Sequence, residues 1–286
     1  MKKIITAVLL LLIIAAVPIT SRAEEQKPVE PKQEVDKLTG EVALSVLSAY
    51  IPRGYEQTRN SIVVQPEVSL NYKGFSINYW GNLDTKPYSA TDASYAAKYT
   101  VTDITLSYTQ KIGILQATPG YIYYALGALN SDAVAPLDSQ ELFITLQLDT
   151  LLSPALTIYK EIAHYNQWYF LLGVTHTFQL NKIVGLKLSA QASYLKSENA
   201  ETYPKYDSNA QPTTDKFNNF HDGTISLCLP IAAYKTFVIT PTISYVFPLS
   251  NDAQYEMKGS GLKGTDNPAD RDSSFLYGGV TFSYTF

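Results

Sequence analysis

Eight charged side chains punctuate the middle of the chain, each with an apolar residue on at least one side: Glu67, Asp84, Asp103, Glu141, Asp149 and Glu161, with Lys111 and Lys187. Gathered on one wall, such a set holds more carboxylates than ammonium groups. It would concentrate cations and repel anions. Trp80, Asn78, Asn82 and Tyr159 would add an aromatic and amide surface suited to a neutral sugar or nucleoside. The alternative is that these groups pair with one another and fill the space between them. Arg53 either selects among passing solutes or neutralises a carboxylate such as Asp84.

Other motifs point to less. Gly259-Ser-Gly261-Leu-Lys-Gly264 fits G-x-G-x-x-G literally. A dinucleotide site needs that loop between a parallel strand and a helix N-terminus. Here it lies in a long polar stretch with Asn267-Pro268 following, so it reads as loop glycine. His164, His176 and His221 lack the spacing of metal ligands. His176 falls on the apolar side of its strand, where a lipid-cleaving enzyme would place it, but without a matching Ser and Asn motif. Asp266-Asn-Pro-Ala-Asp270-Arg-Asp272 offers oxygen ligands without the EF-hand glycine and spacing, and reads as a solvated acidic turn. No metal or cofactor is expected, and no covalent chemistry.

The elements that must carry these residues are strands. From Thr39 onward apolar and polar residues alternate in segments near the ~9 to 11 residues of a tilted membrane strand. Val64, Val68, Leu70 and Tyr72 oppose Gln65, Glu67, Ser69 and Asn71; Leu142, Ile144, Leu146 and Leu148 oppose Glu141, Thr145, Gln147 and Asp149. Phe286, Tyr284, Phe282 and Val280 oppose Thr285, Ser283 and Thr281, in a final strand expected to close against the first, near Glu41 to Tyr50. Its terminal Phe resembles a barrel-assembly signal. About twelve such segments can be traced, the fifth only around Tyr121 to Leu126. Pro66, Pro230 and Pro241 each remove a ladder donor and are expected to mark bulges or strand ends. Lys160 falls on an apolar side and is expected to reach from a rim toward head groups.

Connections alternate in length. Pro52 to Ser61, Thr85 to Tyr99, Gly127 to Ser139, Ser197 to Asn219 and Ser250 to Ser274 are long and polar, with one short exception near His164. Lys73-Gly74, Ile112-Gly113, Leu151 to Pro154, Asn181 to Val184 and Ala232 to Lys235 are short. Short turns at one end and long loops at the other, with an even strand count, are the layout of outer-membrane barrels. Tyr50, Tyr72, Tyr108, Trp168, Phe178, Tyr194, Phe247 and Phe286 lie near strand ends, where an interfacial belt belongs. The 22 Tyr and 11 Phe beside only 17% charged residues suit aromatic-rimmed strands.

Met1-Lys2-Lys3, an apolar run to Val17 and Ser21-Arg22-Ala23 read as a signal peptide, cut after Ala23. Residues 24–38, charged and proline-containing, read as a flexible periplasmic tail, and 39–286 as the barrel. Removing the peptide takes away Lys2, Lys3 and Arg22, which leaves the chain more acidic than its overall charge of −4. That balance disfavours nucleic acid as a partner. Cys228 is the single cysteine, so no internal disulfide forms.

The chain also resembles the TorF-type porin family of Gram-negative bacteria. The resemblance runs through Gly40-Glu-Val-Ala-Leu-Ser, Tyr50-Ile-Pro-Arg53-Gly54-Tyr-Glu-Gln57-Thr58, Trp80-Gly81-Asn82-Leu83-Asp84 and Leu152-Ser153-Pro154-Ala-Leu-Thr-Ile-Tyr159, with departures at Pro52 and Tyr55. It implies an outer-membrane barrel that passes small solutes, with no assigned substrate. The expectation is therefore an all-β, transmembrane, antiparallel up-and-down barrel of about twelve strands. It would act as a narrow passive channel with a mildly acidic lumen, in contact with outer-membrane lipid and lipopolysaccharide and delivered by the barrel-assembly machinery. Two alternatives remain: a lipid-modifying enzyme using His176, and a plugged barrel whose long loops, Ser197 to Asn219 and Ser250 to Ser274, bind a surface partner.

Overall fold

A computed structural model of the chain describes residues 37–58, 60–87, 97–128, 135–262 and 267–286. The expected signal peptide and all of the tail before residue 37 lie outside the described residues, as do Gly264 and Asp266 of the loop motifs. The strands are β1 (Thr39–Leu47), β2 (Val63–Tyr72), β3 (Phe75–Asp84), β4 (Lys98–Tyr108), β5 (Gln110–Ile112), β6 (Leu115–Leu126), β7 (Ser139–Leu148) and β8 (Ala155–Glu161). They continue with β9 (Gln167–Gln179), β10 (Gly185–Ser197), β11 (Pro204–Tyr206), β12 (Pro212–Lys216), β13 (Asn218–Cys228), β14 (Ile231–Tyr234), β15 (Phe237–Pro248) and β16 (Phe275–Thr285). A helix, α1 (Asn251–Ser260), precedes β16.

Among the described residues twelve strands form one closed antiparallel wall, each paired with its neighbour in sequence. Short β5 and β14 prolong β4 and β13 by pairing with β6 and β15, and β11 and β12 form a separate hairpin. The seam is β1 against β16, running from Glu41 opposite Thr285 to Leu47 opposite Gly279. Closure leaves no free edge, the condition for strands to cross a membrane.

Alternation fixes the faces. Val42, Leu44, Val68, Leu70, Ile77, Leu106, Leu142, Leu172, Ile225, Ile243 and Phe282 all stand exposed on the outside. Such a belt is untenable in water and is satisfied by lipid. No helix among the described residues is long and apolar enough to cross a membrane. On the inner face hydroxyls bond across strand pairs: Ser45 with Thr281 at 2.8 Å, Thr109 with Thr118 at 3.0 Å, Thr145 with Thr157 at 2.9 Å and Ser226 with Ser244 at 2.8 Å. These are the cross-strand pairs expected of a wet interior.

Several boundaries differ from the sequence expectation. The fifth wall strand is full length, because Pro119 and Gly120 are held inside β6 by its neighbours β4 and β7. Pro230 does break the pairing, between β13 and β14, but Pro66 and Pro241 ride within continuous strands opposite Leu44 and Val280. The register of β2 with β3 nevertheless skips Gln65 and Pro66, whereas Pro241 keeps its place opposite Val280. The long connection from Ser197 to Asn219 holds the β11–β12 hairpin, and that from Ser250 to Ser274 holds α1 and a 3-10 turn at Pro268–Asp270.

Candidate functional site

At the long-loop end the interior is filled. Ile51, Tyr169, Leu195, Phe217, Val246, Ala253 and Met257 form a buried apolar cluster. Its members come from the first loop, the wall, the connection before β13 and α1. Inward residues at this level, such as Val63, Asn82 and Glu141, are almost fully buried. Toward the short turns the same inner face opens, and Lys187 and Gln191 are exposed. The barrel is thus stoppered at one end and wet at the other.

The first loop forms half of the stopper. The Tyr50 N–H donates to Thr58 Oγ1 at 2.8 Å, and the Gln57 N–H returns to the Tyr50 carbonyl at 3.1 Å. Between them a 3-10 turn at Pro52–Gly54 places Arg53 at φ 49°, ψ 37°, a left-handed conformation uncommon for a side-chain-bearing residue. Gly54 follows at φ 83°; a Cβ there would stand 2.9 Å from Met257 Cε and 3.1 Å from Asp222 Cβ. Loop and helix therefore meet at a position only glycine fits. Gly54→Ala should lower the unfolding free energy by about 1 to 2 kcal/mol, read as a fall in the urea midpoint of the refolded barrel.

Arg53 enters the lumen and forks onto the wall. Nη1 donates to Glu141 Oε1 at 2.7 Å and Nη2 to Glu141 Oε2 at 2.6 Å. The guanidinium lies 4.9 Å from the Tyr159 ring centre and 4.5 Å from that of Tyr169. Tyr124 donates a further bond to Glu141 Oε2 at 2.8 Å. Burial works against the Arg53 charge, but the Glu141 carboxylate and the phenols of Tyr124 and Tyr169 outweigh it and hold the group charged beyond its ordinary range. The partner of Arg53 is thus Glu141, not Asp84. Asp84 lies on the far side of the Ser61 turn, where it takes the Ser61 hydroxyl and the Lys86 N–H, the latter at 2.9 Å.

The other expected lumen residues fall at different depths. Asn82 is fully buried, accepting from Gln65 Nε2 at 2.9 Å and donating to Thr100 Oγ1 at 2.8 Å. It presents no open amide to a solute. Asn78 lies four residues nearer the open end and donates to Glu67 Oε1 at 2.7 Å. Trp80 packs on Tyr50, ring centres 5.4 Å apart, and Tyr159 packs against Phe143, Tyr169 and Arg53. Asp103 sits in register between Trp80 and Tyr124, and its buried Oδ1 has no hydrogen-bond partner among the described residues. Lys111 pairs with Asp149 at 2.6 Å in the exposed short-turn region. Lys187 is exposed opposite Cys228.

Glu161 serves the loop rather than the lumen. It accepts N–H bonds from Ala163 and His164 on Oε1, and from Tyr165 and Asn166 on Oε2, at 2.7 to 3.1 Å, and takes the Ser139 hydroxyl at 3.1 Å. One carboxylate thereby folds the single short connection at the long-loop end. Lys160 does not reach for head groups: it pairs with Glu198 and lies 5.1 Å from the Trp168 ring centre.

A second polar cluster escaped the sequence reading. His221 is fully buried, with Nδ1 3.0 Å from Asp222 Oδ1 and Nε2 2.9 Å from Glu256 Oε2. Tyr55 of the first loop donates to Glu256 Oε1 at 2.8 Å, and Tyr169 and Ser193 donate to Asp222 Oδ1 at 2.8 and 2.6 Å. Tyr169 lay between Trp168 and Phe170, whose outward face drew the attention. In the sequence His221 reads only as a candidate metal ligand, and β13 begins at Asn218, within the stretch expected as a loop to Asn219.

The remaining motifs find ordinary places. His176 Nδ1 contacts the Leu151 carbonyl at 2.7 Å and the ring packs edge-on against Phe178. Gly259 and Gly261 stand at the C-terminal end of α1, so the helix amides point away from them. Among the described residues no group of three or more His, Cys, Asp or Glu is arranged to hold a metal ion.

Fold and interior together define a transmembrane β-barrel of twelve strands whose lumen is closed from one end. No protein-family model matches the sequence, and no curated protein matches it. Among solved structures the chain is similar to a NanC porin (11% identity, TM-score 0.49, covering 86% of this chain and 98% of that one) and to a KdgM porin (10%, 0.49, 86% and 99%). It is also similar to OmpT, an outer membrane protein of Vibrio cholerae (9%, 0.39, 87% and 97%). At these identities and scores nothing passes from those proteins to this lumen. No family model supports the resemblance to TorF-type porins.

Proposed function

We propose that the protein is an outer-membrane channel for small polar solutes, narrowed from the long-loop side by the first loop and α1. The supporting observation is the gradient along the inner face, from buried Glu141 and Asn82 at one end to exposed Gln191 and Lys187 at the other. A wall of paired hydroxyls offers water and solutes interchangeable partners. Most of the acidic wall is already engaged, so ion preference rests on Glu67 and Asp103 beside the Arg53–Glu141 pair, and it is weakly cationic. Outer-membrane lipid and lipopolysaccharide surround the belt, and the barrel-assembly machinery inserts it.

Planar-bilayer recording of the purified full chain tests this. Small, infrequent steps with a weak preference for cations are expected, and Glu67→Gln with Asp103→Asn should remove that preference. Deleting residues 251–260 should give larger and more frequent steps. Silence in both the full chain and the deleted form would overturn the channel reading.

A further inference from the structure

A buried imidazole, His221, joins three parts of the stopper. His221 belongs to the wall, Glu256 to the helix in the last long connection, and Tyr55 to the first loop; all three meet through the Glu256 carboxylate. Both ring nitrogens of His221 face carboxylate oxygens, which have no proton to offer, so both nitrogens carry hydrogen and the ring is a cation between two anions. Tyr55 and Phe217 close over the ring, each with centres 5.3 Å from it. Burial, then Glu256, push the Tyr55 hydroxyl well above the usual phenol range, so it remains a donor. Tyr203 and Tyr206 are further phenols in the field of Glu256, and Ser260 approaches Glu256 Oε1 at 3.3 Å. One turn earlier on α1, Asp252 pairs with Lys205 of the β11–β12 hairpin at 3.2 Å and accepts from Asn219 Nδ2 of β13 at 2.9 Å.

We infer that His221, Asp222 and Glu256 form a proton-operated latch that opens the long-loop end of the lumen when its charge pattern is broken. This rests on the channel reading above. A proton added to Glu256 turns one acceptor oxygen into a donor facing Tyr55 or His221, and the helix loses a charged bond to the wall. A proton taken from His221 leaves a nitrogen lone pair facing a carboxylate, with the same result. The latch therefore holds near neutrality and loosens toward acid and toward alkali. Released, the first loop loses its tie to α1 through Tyr55.

Single-channel recording from about pH 7 down to about pH 4 reads the latch. Open probability of the unaltered protein should rise roughly tenfold toward acid, as expected for loss of one hydrogen bond to a charged group. Glu256→Gln, which keeps the volume but cannot titrate, should be raised already at neutral pH and nearly flat across the range. Tyr55→Phe leaves the wall untouched and should shift opening by a smaller amount in the same direction. Heat-modifiable migration in gels verifies that each barrel is folded. If the form lacking residues 251–260 conducts while the Glu256→Gln and Tyr55→Phe forms keep the unaltered pH response, the latch is refuted and the channel stands. If the deleted form is silent too, both fall.

Discussion

Replacing Arg53 with alanine should raise the single-channel conductance roughly threefold and shift the reversal potential in a salt gradient toward that of cations. Two effects combine. The side chain that spans from the first loop to Glu141 is gone, which widens the narrowest charged section. Glu141, with a side chain 2% exposed, then keeps only the Tyr124 hydroxyl and carries an unbalanced negative charge into the lumen. The loop also loses what compensates the left-handed backbone at Arg53, a conformation that costs of order 1 kcal/mol or more and persists only where surroundings enforce it. Unchanged conductance together with an unchanged reversal potential would show that the pair does not stand in the solute's path.

The second large effect concerns stability. Glu141→Ala should lower the unfolding free energy by about 3 kcal/mol, near the lower end of the range for breaking a buried ion pair. The lower end applies because the Arg53 side chain retains 24% exposure and stays stacked on two phenol rings. Arg53→Ala with Glu141→Ala should cost less than the sum of the single changes, since neither charge is then left alone. Tryptophan fluorescence during urea unfolding measures all three variants. Trp80 packs on Tyr50 within the same loop, so it reports locally as well as globally. Strict additivity would mean that the two groups do not stabilise one another.

What alternation can reveal is which face a residue lies on, and here it revealed the wall well. The outward stripes, the sorted turns and the β1–β16 seam follow from side chains that repeat every two residues. Depth is not written in that pattern. Asn78 and Asn82 share a face of β3, yet one lies toward the wet end and the other is sealed beneath the first loop. Partners are equally silent, because Arg53 meets a carboxylate 88 residues away and His221 one 35 away. The helix α1 was missed because NDAQYEMKGS carries no apolar stripe; it buries only Ala253 and Met257 in the apolar cluster and Glu256 against His221. Its start was nonetheless marked. Ser250 caps the Ala253 N–H at 3.0 Å, Asp252 stands in the first turn and Lys258 in the last, each where the helix dipole favours it.

The neutrality of the Arg53–Glu141 contact bears on what force can move the stopper. A transmembrane voltage does work of about 2.3 kcal/mol per elementary charge for each ~100 mV crossed. A guanidinium bound face to face with a carboxylate presents the field with a small dipole and no net charge. Membrane polarisation therefore pulls hardly at all on this contact, which yields to a change in the chemical composition around it rather than to voltage.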